Sequence, residues 1–163
     1  MTTHDDAEWA AARRSVHRAI RSSLHCAVSS RNADGSPHVT PIGSLLLDRD
    51  ERSGIYFDVF NARLARNLAA DPRVTVLAVD SGPLRWGRAM LRGRFDVPPG
   101  VQLSGTAGAA RLATPDEAAR FRSAVGPLGR LPGGRAMWAD LSRVRDLRVD
   151  SIRFLRLGRM TAT

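Results

Sequence analysis

Apolar positions along this chain follow two rhythms. Residues 37–47 carry Val39, Ile42, Leu45 and Leu47 in an extended run, residues 54–59 read as its antiparallel partner, and residues 74–79 as a third strand. Between the last two, residues 62–70 switch to a helical period: Leu64 and Leu68 share a face at i, i+4, while Arg63, Arg66 and Asn67 point elsewhere. Residues 24–30 form the first strand, and Asn32-Ala-Asp-Gly-Ser36 turns the chain, with Gly35 supplying a positive φ. The strand pattern returns over residues 101–111, where Gly105 marks a bulge, and over residues 147–157 with Val149, Ile152, Phe154 and Leu157.

Helices flank these strands. Residues 5–21 place Trp9, Ala12, Val16, Ala19 and Ile20 near a 3.6 period, with Asp5, Asp6 and Glu8 at the positive end of the dipole. Thr114-Pro-Asp-Glu117 has an N-cap, a proline at the first position and a glutamate three residues on, so a helix runs from there to about Val125. Residues 126–134 are rich in Gly and Pro and predict an exposed loop; residues 136–144 predict a short helix. An insert over 81–100 is bounded by Gly-Pro and Pro-Pro-Gly, and within it residues 84–94 read as a helix with Arg85, Arg88 and Arg92 on one side. The expectation is a single domain over 1–163, mainly β with flanking helices: a six- to seven-stranded antiparallel barrel.

Composition narrows the class. A chain of 163 residues that is 43% hydrophobic suffices for one full core. No apolar run approaches the ~20 residues of a membrane helix, and the N-terminus lacks a basic start and apolar core, so no membrane association and a cytoplasmic location are expected. One cysteine, Cys26, excludes an internal disulfide and is read as buried. The net charge is +9, and all 25 basic residues are arginine. They scatter through helices and strands with no helix-turn-helix, zinc-finger or RNA-binding motif, which argues against a nucleic-acid partner.

Conventional catalytic machinery is missing. There is no nucleophile elbow and no motif marking an acid–base pair, so no residue is assigned as catalytic. His25, Cys26 and His38 lie on the two strands of one hairpin, but no ligand spacing of the Cys-x-x-Cys or His-x-x-x-His type exists, and no metal is expected. His4 and His17, on the first helix, have no ligand-spaced partner. An enzyme with so few candidate side chains has to rely on a cofactor. The basic start of the 62–70 helix, beside strand ends, is where an anionic group of a cofactor would sit.

The order Asp34-Gly-x-Pro-His-Val-Thr-Pro-Ile42, then Ile55-Tyr-Phe57, then Arg66-Asn-Leu-x-x-Asp-Pro-Arg-Val74 resembles the flavin-binding split-barrel family related to pyridoxamine 5'-phosphate oxidase. The resemblance is close over about residues 24–80 and continues more weakly through 101–117. It implies an FMN-binding split barrel that forms a homodimer, with cofactor sites between the subunits, and that acts as an oxidoreductase on a small organic substrate. It also implies which residues hold FMN. Val39, Thr40, Pro41 and Ile42 would lie along the isoalloxazine; Tyr56, Phe57 and Asp58 would wall the ring and ribityl chain, followed by Phe60 and Asn61. Arg63 and Arg66 would bind the phosphate, and Asn67 would either join them or cap local backbone.

Many relatives carry Ser-Arg-Lys where this chain has Asn61-Ala-Arg63, and the basic C-terminal signature of true pyridoxamine-phosphate oxidases is absent, so a vitamin B6 oxidase is not implied. Members that bind a deazaflavin coenzyme or haem supply the alternatives, a deazaflavin-dependent reductase or a non-enzymatic flavin- or haem-binding protein, with His25 or His38 as haem ligands. The insert is read as a lid in which Arg85, Trp86 and Arg88 meet substrate, or else as a packing helix with a solvated arginine face.

Overall fold

The computed structural model describes residues 3–161; the side chains of residues 3 and 4, His4 among them, lie outside the described part. Five α-helices and eight strands follow in the order α1 (Thr3–Ser23), β1 (Cys26–Arg31), β2 (Pro37–Ile42), β3 (Leu45–Leu47), β4 (Ser53–Phe57), α2 (Ala62–Ala70), β5 (Arg73–Val79), α3 (Pro83–Arg92), β6 (Gly100–Ala107), β7 (Arg111–Leu112), α4 (Pro115–Val125), α5 (Pro132–Met137) and β8 (Arg143–Phe154). The strands are antiparallel neighbours in the order β2-β1-β5-β6-β8-β4-β3, and the two-residue β7 adds to β8. The result is a curled, split barrel.

The split lies where the sequence predicts one continuous strand over 37–47. The chain leaves β2 at one end of the sheet and enters β3 at the other, crossing at Gly43 and Ser44. A Cβ at Gly43 would come within 2.6 Å of the Leu24 carbonyl oxygen, so only glycine passes there. The Ser44 hydroxyl donates to the Phe57 carbonyl and accepts from the Phe57 N–H, both at 3.1 Å, standing in for a ladder pair that the crossing interrupts.

Alternation sets the core. Cys26 and Val28 of β1, Val74, Val76 and Ala78 of β5, and Val101 and Leu103 of β6 face inward onto Trp9, Ala12, Val16 and Ala19 of α1. Burial pushes the Cys26 thiol up to about 12, and its Sγ donates to the Ile42 carbonyl; it is a core residue, as expected. A second cluster joins Phe57 and Val144 to Phe121 of α4, with ring centroids of Phe57 and Phe121 5.1 Å apart. Two local expectations are met closely: Gly35 has φ +84°, and β6 bulges against β8 at Ser104/Gly105, where a Cβ would strike the Arg148 carbonyl oxygen.

The region after α4 departs from the expectation. Gly126–Arg130 forms a 3-10 turn rather than an open loop. The short helix falls at Pro132–Met137, not 136–144, because Pro132 starts it at the first position. The last strand begins at Arg143 rather than 147. Its first turn of alternation is masked in the sequence by Arg145, a charged residue that is buried.

Candidate functional site

The end of β4, the start of α2 and the edge strand β2 meet at one place. The Thr40 hydroxyl donates to Asn61 Oδ1 at 3.3 Å, and Asn61 Nδ2 donates to the Val59 carbonyl at 2.7 Å. Asn61 is the N-cap residue of α2 and of a type that usually caps, yet its side chain makes no capping hydrogen bond. The first helical bond runs from Ala65 N–H to the Asn61 carbonyl, so the three N–H groups before it face outward uncapped. Phe60, just before, holds φ +60° with its ring 84% exposed. A non-glycine residue in the left-handed region with an uncovered aromatic ring costs stability twice over, through backbone strain and through apolar exposure.

Arg63 and Arg66 project from the exposed side of α2, and neither makes a hydrogen bond or ion pair among the described residues, while Leu64 and Leu68 enter the core. On β2, Val39 is 63% exposed and Pro41 is exposed, whereas Ile42 faces the core. This gives an apolar strip, an aromatic ring, a free helix N-terminus and two guanidinium groups in sequence. Such a donor set suits a planar ring carrying a phosphate tail.

Besides Ile42, three of the residues implied by the resemblance sit behind this face rather than on it. Tyr56 and Phe57 are buried, one in each core cluster, so their rings back the site and do not wall it; strand alternation at β4 leaves neither side solvent-facing. The Tyr56 hydroxyl has no partner among the described residues, and burial, with the Asp58 charge adding to it, drives its titration well above the ordinary phenol range. Asn67, expected to point away from the core, is buried: its Nδ2 donates to Ser30 Oγ at 3.0 Å and to Asn32 Oδ1 at 2.9 Å. Both amide hydrogens are thereby engaged in fastening α2 to the β1–β2 hairpin, which favours the local role over the phosphate.

Asp58 is held by a residue that sequence reading missed. Arg145 of β8 donates from Nε to Asp58 Oδ2 at 2.9 Å and from Nη1 to the Gly108 carbonyl at 3.1 Å, with Nη2 and the Ala65 carbonyl at the limit of hydrogen bonding. The only signal in the sequence is an arginine between Val144 and Leu147, in a strand face that burial would otherwise make apolar.

The insert does not form part of this place. It leaves the C-terminal end of β5, whereas α2 leads into the N-terminal end. Arg85 is spent on Asp80 at 2.8 Å and on the Val97 and Pro98 carbonyls; Trp86 donates to the Asp80 carbonyl and packs edge-on to Phe95. Arg92 pairs with Asp96, and Arg88 alone of the three is exposed and unpaired among the described residues. Arg85 and Trp86 are thus engaged in packing the helix within the chain, which favours the packing-helix reading of the insert. His25 and His38 do not converge either. His38 lies opposite Ser30 in the ladder, while His25 adjoins the Cys26–Ile42 pair at the other end, with Nδ1 2.7 Å from the Ser23 carbonyl. Among the described residues no group of three or more His, Cys, Asp or Glu side chains could hold a metal ion, and no helix is long and apolar enough to cross a membrane.

The strand order and the flanking helices define the split-barrel class of fold. The pyridoxamine 5'-phosphate oxidase profile matches residues 13–154, and the chain belongs to that family. No curated protein sequence matches it. Among solved structures, the chain is similar to an FMN-binding protein from Syntrophomonas wolfei subsp. wolfei, with 11% identity, TM-score 0.65, and 95% of this chain and 91% of that one covered. It is similar also to HupZ of Group A Streptococcus, with 17% identity, TM-score 0.57 and 97% of each chain covered. An F420 reductase matches with 16% identity and TM-score 0.53, over 86% of this chain and 94% of that one. At such identities the likeness is one of fold.

Proposed function

We propose that this protein is an FMN-dependent oxidoreductase acting on a small organic substrate. The observation that carries the reading is the uncapped start of α2, with Asn61 turned to Thr40 and the unpaired Arg63 and Arg66 beside it. A phosphate there gains hydrogen bonds from N–H groups and guanidinium together. Val39 and Pro41 offer apolar contact for one face of the ring, and Phe60 a second wall. The flavin, when bound, supplies the electron transfer; this chain binds and orients it. Asp58 and Arg145 keep the end of β4 and α2 in fixed relation, so the two halves of the site stay in register.

The working unit of this proposal is a homodimer. The outer face of the sheet carries two rows of directly paired positions, Pro41-Ala27-Leu77-Gln102 and Val39-Ser29-Thr75-Ser104, whose side chains are small or apolar except for Gln102. Val39, Pro41 and Leu77 expose apolar surface that a second copy would cover, and the flavin face of β2 would then lie at the interface. Ile42, a core residue, has no part in it.

The test is the visible spectrum of untagged protein, as purified and after incubation with FMN. The expected result is a flavin band that stays with the protein through gel filtration and bleaches on reduction. A Soret band, or retention of the deazaflavin coenzyme with rejection of FMN, would overturn the choice of cofactor.

A further inference from the structure

We infer that the groove between α1 and the α4 segment binds an apolar molecule carrying one anionic group. The groove encloses about 690 Å³, within the range of about 300–1,000 Å³ for small-molecule sites. Its floor is apolar: Ile20 of α1, Leu45 of β3, and Phe121 and Val125 of α4 contribute to it. Trp138 forms a wall, its ring edge-on to Phe121 with centroids 5.8 Å apart.

The rim has one sign of charge. Arg14 and Arg21 carry it, seven residues apart on one face of α1 with His17 between them; all three are exposed, and none has a hydrogen-bond or ion-pair partner among the described residues. No Asp or Glu lines the groove. A bound ligand with a carboxylate or sulfonate end would be drawn by cations at a low-dielectric wall, whereas a cationic ligand of the same shape would be repelled. The remainder of such a ligand would be mainly apolar, because the side chains of the floor are apolar. Arg63 and Arg66 do not line this groove, so the inference goes beyond the flavin reading and does not rest on it. The two places are neighbours in the chain all the same: Gly43, in the groove wall, follows directly on Ile42 of β2.

The test is calorimetric titration of the full-length protein with decanoate and with decylammonium, both below their micelle thresholds. Their tails are alike and their charges opposite. Decanoate is expected to bind at least about tenfold more tightly, the worth of one charge-assisted contact. Arg14→Ala with Arg21→Ala should remove that preference, and Ala124→Trp, which fills the groove, should abolish binding while circular dichroism shows the fold retained. If Ala124→Trp fails to fold, Leu128→Trp fills the same groove from the 3-10 turn. Equal affinity for the two probes, or decanoate binding that survives the filled groove, would overturn the inference. So would an absence of binding in a dimer that Ala124→Trp dissociates, since a second copy would then be the occupant.

Discussion

Arg145 and Asp58 form an ion pair inside the barrel, Nε to Oδ2 at 2.9 Å, with side chains only 7% and 10% exposed. They are 87 residues apart in the chain and join β8 to the turn that follows β4. Arg145 also reaches the backbone of Gly108 and of α2, so three segments depend on one guanidinium. A buried pair need not stabilise a fold relative to apolar residues, but breaking one is costly because the remaining charge has no solvent. Asp58→Ala is expected to lose about 3–5 kcal/mol in urea unfolding, and Asp58→Ala with Arg145→Met to regain much of that loss. If the double variant is as unstable as the sum of the single ones, the two residues are not coupled.

Arg63→Ala and Arg66→Ala should weaken FMN binding far more than riboflavin binding. Only FMN has the phosphate, and a hydrogen bond to a charged group is worth about 1.5–3 kcal/mol, roughly ten- to a hundredfold in affinity. Flavin fluorescence quenching measures both constants. Equal weakening of the two ligands would move the phosphate away from α2.

Asn67→Ala should behave differently although it is on the same helix. Its amide hydrogens bond Ser30 and Asn32 within the fold, so the cost falls on stability, about 1–3 kcal/mol for buried partners left unpaired. The ratio of FMN to riboflavin affinity should not change. A selective loss of FMN affinity in stable protein would return Asn67 to the phosphate site.

These contrasts show which parts of the site were legible in the sequence. The helix 62–70 was legible in its bounds and in its apolar face, since Leu64 and Leu68 fix that face and Asp71-Pro72 the end. The strands were legible wherever alternation was regular. They were misread where a polar residue serves the interior: Arg145 hid the start of β8, and Ser44, mimicking a ladder pair, hid the break between β2 and β3. Asn67 was ambiguous for the same reason, because a buried amide and a ligand-facing one have the same period on a helix. The insert's three arginines shared a spacing, but only contacts with Asp80 and Asp96 distinguish two of them from Arg88. Hydrophobic pattern reports burial of apolar atoms; partners of buried polar atoms are set by chain segments far apart in sequence.

The dimer prediction turns on Leu77. This residue is at the centre of the outer sheet face, directly paired with Ala27 of β1 on one side and Gln102 of β6 on the other, and Ala27 in turn pairs with Pro41. Leu77 is 37% exposed, with the short Ala27 and Pro41 on one side of it, so a second copy can approach closely there. Leu77→Arg puts a charge on that face without touching the core, which lies on the side of Val76 and Ala78. Two copies related by a two-fold axis would bring two such charges together in a desolvated interface, and like charges there cost several kcal/mol in association. Light scattering at micromolar concentration should therefore show a dimer for the native chain and a monomer for Leu77→Arg, with an unchanged circular dichroism spectrum. The monomer should also bind FMN more weakly although Arg63 and Arg66 are intact, because the apolar strip of β2 would be left open to water. A native chain that is monomeric and still binds FMN tightly would place the whole site within one subunit.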